Sequence, residues 1–194
     1  MYFKLGKHHG RCIIKREPLL FVYRLATRDS QEFVEAQDLA EHWKREQGNA
    51  VIKGAAIVRT DFDRVLALYG ELSTEEKQMQ EVIGDLEFLI VLARPCGIAF
   101  LHEACHALYQ TDSGFRAYAI DAVMRAPDFD TLSFAVIHRG YGPEVLIEEI
   151  AAHMVADFYG QSWILMTGNQ SVAEDLRARL LAAVRYRVEL PRSE

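Results

Sequence analysis

Leu101-His102-Glu103-Ala104-Cys105-His106-Ala107-Leu108, residues 101 to 108, carries the reading of this chain, and the remaining segments fall into order around it. Pro95 and Gly97 stop whatever precedes them, and the apolar Ile98-Ala99-Phe100-Leu101 run predicts a new helix from Ile98 to about Gln110. On that helix His102 and His106 stand at i and i+4, on one face and about 6 Å apart, where two imidazoles can bind one tetrahedral Zn²⁺. Glu103, one residue on, would reach water beside the metal rather than the metal itself, which suits a general base. A polar trio on an otherwise apolar helix needs partners to offset its desolvation, and a metal provides them. Cys105 occupies a position that points to another face and reads as a small buried hydrophobe.

The third protein ligand must come from elsewhere. After His106 the chain continues Ala107-Leu108-Tyr109-Gln110-Thr111-Asp112, so the extended HExxHxxGxxH pattern fails at Tyr109 and Asp112. Asp112 could still ligate, but without the glycine its tight turn is not encoded. Downstream lies Glu148-Glu149-Ile150-Ala151-Ala152-His153. Here the chain resembles the zincin metallopeptidases, gluzincin branch, which pair HExxH with a glutamate on a second helix in an ExxA context. That resemblance implies His102, His106 and Glu149 as zinc ligands and Glu103 as general base of peptide-bond hydrolysis. It implies a peptide or protein substrate, with a sheet edge, Ala55 to Thr60, pairing with it. Where the family has Asp or Asn after ExxA this chain has His153, a partner for the ligands. Glu148 competes with Glu149, because the helical wheel sets it on the more apolar side with Ala151, Ala152, Val155 and Tyr159, where a carboxylate needs a metal or an ion pair.

The segment Gly140-Tyr141-Gly142-Pro143-Glu144 is similar to one in SprT-like zincins whose histidine is the third ligand; Tyr141 stands there instead. The glycines and proline predict a loop that opens the second helix at Pro143 and runs it through Phe158, with His138 and Tyr141 as candidate oxyanion donors.

Outward from this centre, Arg11 to Ile14 and Leu19 to Leu25 predict a hairpin, and Ser30 caps a helix bearing Phe33, Ala36, Leu39, Ala40 and Trp43. Ala50 to Thr60 reads as a strand bent at Gly54. Ser73 with Glu76 forms a capping box before Met79, Val82, Ile83, Leu86, Leu89, Ile90 and Ala93 at helical spacing. Phe115 to Arg125 predicts another helix, Thr131 to His138 a short strand or an extended segment, and Ser171 with Glu174 a last helix to about Val188. The expected fold class is α+β: one domain over 1–194, with 1–60 mainly a small N-terminal sheet and 61–194 a mainly helical zincin-like core.

Composition narrows the classes. Of the 194 residues half are hydrophobic, and 22 Lys+Arg against 28 Asp+Glu leave a net charge of −6. Whole-chain disorder is excluded. The longest apolar run, Phe88 to Ala93, is far below the roughly 20 residues of a membrane span. The N-terminus lacks a secretory apolar stretch, and Cys12, Cys96 and Cys105 form no CxxC, so a reducing cytoplasm is expected. Basic clusters before Glu17 and after Arg177 read as solvated surface, and the net acidity speaks against nucleic acid as the main partner.

Overall fold

A computed structural model describes residues 1–15, 54–92, 95–138, 141–156 and 170–189, with 170–173 as backbone alone. Among these the protein is α+β, a five-stranded sheet and seven helices. The order is β1 (Tyr2–Leu5), β2 (His8–Ile14), β3 (Gly54–Val58), α1 (Arg59–Tyr69), α2 (Thr74–Ile83), β4 (Phe88–Leu92), α3 (Gly97–Thr111), α4 (Ser113–Met124), α5 (Phe129–Ile137), α6 (Leu146–Ala156), α7 (Gln170–Arg187) and β5 (Val188–Glu189). The strands lie in the order β3-β4-β2-β1-β5. The expected strand at Leu19 to Leu25 and the Ser30 helix lie outside the described residues. Two compact units emerge: Met1–Phe3 with His9–Cys96, and Lys4–His8 with Gly97–Glu194. No described helix is long and apolar enough to cross a membrane.

In the first unit the largest departure from expectation is at residues 84–92. The α2 capping box forms as expected: Glu76 N–H donates to Ser73 Oγ at 3.2 Å and Ser73 N–H to Glu76 Oε2 at 2.7 Å. The helix then ends at Ile83 rather than running to Ala93, because Gly84 turns the chain at φ 52°, a conformation that favours glycine. Phe88-Leu-Ile-Val-Leu follows as a strand whose five residues are all buried. It lies between β3, antiparallel, and β2, parallel. A central strand buried on both faces has no alternation, so its apolar run imitates a buried helix. Burying each such side chain stabilises by about 1.5–3 kcal/mol, far more than the few tenths by which helix propensities differ.

Close packing at this strand explains Gly10. It pairs with Phe88 in the β2–β4 ladder, and a Cβ at residue 10 would run into the Phe88 ring. On the other side β3 ends at Val58, where Arg59 and Thr60, expected in the strand, begin α1 instead. Asp61 accepts the Val58 N–H at 2.9 Å and so fixes that helix start. Ala55, Ile57, Leu89 and Val91 of the sheet pack with Phe62, Val65, Met79 and Ile83 of α1 and α2 into one core.

The second unit is a helical assembly built around α6, which packs against α3, α4, α5 and α7. Ile150, Ala151 and Ala152 of α6 and Ala104, Ala107 and Leu108 of α3 are fully buried. The small side chains of Ala104, Ala107, Ala151 and Ala152 let the two backbones approach, which is what permits polar side chains from both helices to meet. Two expectations are corrected here. Residues 129–137 are helical, not extended; Leu132, Ala135 and Val136 are buried at the i, i+3, i+4 spacing of a helix, and the β-branched Thr131, Val136 and Ile137 do not outweigh that packing. Pro143 does not open α6: a turn occupies 143–145 and the helix starts at Leu146, with Glu149 N–H donating to Val145 O at 2.9 Å. The expected end at Phe158 lies outside the described residues. The last helix begins at Gln170 and stops at Arg187, after which Val188 and Glu189 pair antiparallel with Leu5 and Lys4.

Candidate metal centre

The HExxH segment is helical throughout, in the middle of α3. His102 and His106 face each other with Nε2 atoms 3.1 Å apart and ring centroids at 4.8 Å. From α6, Glu149 brings Oε1 to 3.6 Å from His106 Nε2. A tetrahedral site with zinc arms of about 2.0–2.1 Å has donor–donor edges of about 3.4 Å. The His102–His106 and His106–Glu149 separations, 3.1 and 3.6 Å, lie on either side of such an edge, and the two-nitrogen, one-oxygen chemistry suits that ion. By donor chemistry these residues could hold a zinc ion.

Glu148, the competing carboxylate, occupies a different place. Its Oε1 lies 2.8 Å from His106 Nδ1, and its Oε2 accepts from Gln110 Nε2 at 2.6 Å. Residues 148 and 149 therefore address opposite nitrogens of one imidazole. Glu148 holds Nδ1, which leaves Nε2 as the donor atom aimed at Glu149 and His102. Gln110 stands one turn beyond His106 on α3, and the i, i+4 spacing was the only sequence signal for its part in this chain of contacts. The α3 terminus that carries it is tied by Arg116, whose Nε donates to Tyr109 O at 2.6 Å and whose guanidinium reaches Gln110 O at 2.7 Å.

Charge follows the same geometry. Burial first, then the charges of His106 and His153, holds His102 well below the usual imidazole range. Burial also works against a proton on His106, but Glu149, Glu148 and Glu103 together outweigh it and push its pKa up to about 9. Glu103 is buried, 6 % exposed, and close enough for its charge to act on His106. Cys105 is fully buried, and burial, reinforced by the Glu148, Glu149 and Glu103 charges, pushes its thiol well above the ordinary range. It is an inert packing residue, as expected.

Other sequence candidates are placed as follows. Asp112 serves as the N-cap of α4: its Oδ1 accepts the Phe115 N–H at 2.9 Å and its Oδ2 the Arg187 Nε–H at 3.2 Å. Burial alone would raise its pKa, yet the Phe115 amide, Arg187 and the Gly114 amide hold it below the usual carboxylate range. Asp112→Ala should cost about 1–2 kcal/mol in urea unfolding at pH 7. Because the folded pKa is depressed, this contribution is present above the unfolded value near 4 and is lost as pH falls through the folded one; the gap between wild type and variant should close in acid. His138 stacks on Phe134 at the end of α5, with centroids 5.8 Å apart. Tyr141 lies edge-on to His153, centroids 5.9 Å apart.

His153 was read as a partner of the ligands, and the structure brings it closer than that. Its Nε2 is 3.6 Å from Glu149 Oε2, and His102, Glu149 and His153 each offer a donor atom within 4.8 Å of the other two. Comparison with known proteins returns no matching family model, no matching curated protein and no matching solved structure.

Proposed function

We propose that this protein is a zinc-dependent hydrolase of peptide bonds, with a zincin-like helical core in its second unit. One observation carries the reading: two HExxH imidazoles present Nε2 atoms to each other at 3.1 Å, a glutamate from a second helix stands 3.6 Å away, and the outer nitrogen of His106 is held by a buried carboxylate. Zinc in that set would supply Lewis acidity, polarising a substrate carbonyl and making water acidic enough to attack near neutral pH. His102, His106 and Glu149 would hold the ion. Glu148, itself held by Gln110, keeps the His106 ring oriented. Glu103 takes the proton from the attacking water and passes it to the leaving amine nitrogen. The three cysteines Cys12, Cys96 and Cys105 are free thiols, in keeping with a reducing, cytoplasmic setting. The substrate is a peptide or protein; the net charge of −6 argues against nucleic acid as the main partner.

Elemental analysis of the purified chain tests this directly. Wild type should carry about one zinc per chain, and His102→Ala and Glu149→Ala far less, each having lost a donor. A wild-type protein without stoichiometric zinc after zinc loading and gel filtration sinks the reading. A second reading, a zinc-holding regulator without catalysis, draws support from one feature, the nearness of His153 as a further donor.

A further inference from the structure

The α3–α6 contact brings together two i, i+4 pairs, His102 with His106 and Glu149 with His153. Around His102 the other two imidazoles take nearly equivalent positions: the His106 ring at 4.8 Å and 71°, the His153 ring at 4.9 Å and 70°. Glu149 repeats that symmetry, with Oε1 3.6 Å from His106 Nε2 and Oε2 3.6 Å from His153 Nε2. At 3.6 Å the His153–Glu149 separation exceeds a hydrogen bond and matches that of the ligand pair on the other side. We propose that His153 is a fourth protein donor to the metal, so that the resting site is closed by three imidazoles and one carboxylate.

This inference rests on the metal reading above and deepens it into a statement about regulation. A site with four protein donors leaves no position for water, and a hydrolytic site needs one. Catalysis then requires one donor to leave. His153 is the donor placed to do so: its side chain is 24 % exposed against 10 % for His106, whose Nδ1 is also held by Glu148. Tyr141, from the segment ahead of α6, packs against its ring. A substrate or partner that displaces Tyr141 would loosen His153 and open the site, whereas His106 stays fixed by Glu148.

The test uses the full chain loaded with Co²⁺ or Zn²⁺, as wild type, His153→Ala and His153→Gln; the second variant keeps most of the side-chain volume, and far-UV circular dichroism verifies folding of both. Metal affinity is read by chelator competition, coordination by the visible absorption of the Co²⁺ protein, and openness by the response of that spectrum to azide. Wild type should show the intense four-coordinate spectrum and ignore azide. Both variants should bind about 10- to 100-fold more weakly, respond to azide and, when saturated with zinc, hydrolyse a mixed fluorogenic peptide library faster than wild type. Variants with wild-type affinity and an unchanged spectrum overturn the fourth donor while leaving the metal site standing. Zinc-saturated variants slower than wild type overturn the closed resting state. Wild type that takes up neither ion overturns both this inference and the reading on which it rests.

Discussion

Glu103→Gln should keep its zinc and lose peptide hydrolysis by about 10²- to 10⁴-fold, the range that a positioned general base contributes. The substitution is nearly isosteric, and Glu103 is only 6 % exposed, so the packing of α3 is preserved. What changes is the ability to accept a proton from water. It also removes one of three carboxylate charges that favour a proton on His106, the smallest of them, so metal uptake should change little. Zinc content and hydrolysis of a mixed fluorogenic peptide library, measured on the same preparation, separate the two effects. If the variant cleaves as fast as wild type with zinc bound, Glu103 is no base and the proposed mechanism fails. If zinc is lost along with activity, Glu103 belongs to the metal's support instead.

The second large effect is expected at Glu148. Glu148→Ala should weaken zinc binding about 10- to 100-fold, the usual cost of losing a partner behind a ligating imidazole. It should also destabilise the metal-free chain by about 3–5 kcal/mol, because it strips a buried imidazole of its carboxylate and leaves the Gln110 amide without its 2.6 Å acceptor. Glu148→Gln should fall between the two, since its carbonyl oxygen can still accept from His106 Nδ1–H but carries no charge. Chelator competition and urea unfolding in the presence of a chelator read these quantities separately. Glu149→Ala should differ in kind: it loses metal as severely but leaves the His106 Nδ1 contact in place, so the metal-free stability should drop less. Equal affinities for Glu148→Ala and wild type would remove Glu148 from the metal's support.

These two glutamates show how far one-dimensional reading reaches. Helical periodicity places 148 and 149 about 100° apart on α6, and each has a sound argument: burial for Glu148, sequence context for Glu149. In the structure both carboxylates meet His106, Glu148 at Nδ1 and Glu149 at Nε2. The carboxylate on the more apolar side does have a partner, the Nδ1 of His106. His153 was visible as the next turn of the same stripe, yet its nearness to His102 depends on the approach of α3 to α6 and is not contained in the spacing of either helix.

By itself the sequence determined what is local. The helix around 102–106, the capping box at Ser73 and Glu76, the helices near 113–124 and 170–187, and the i, i+4 pairing of His102 with His106 follow from patterns within a few turns. Tertiary structure decided what local patterns leave degenerate. Residues 88–92 became a strand because β2 and β3 pair with them on both sides, contacts invisible to a window that sees only continuous hydrophobicity. Residues 129–137 became a helix because α6 covers one of their faces. The division of labour between Glu148 and Glu149 was decided by the same cause: a side chain's chemistry depends on which neighbour the fold brings within 3 or 4 Å, and only packing between segments distant in sequence sets that distance.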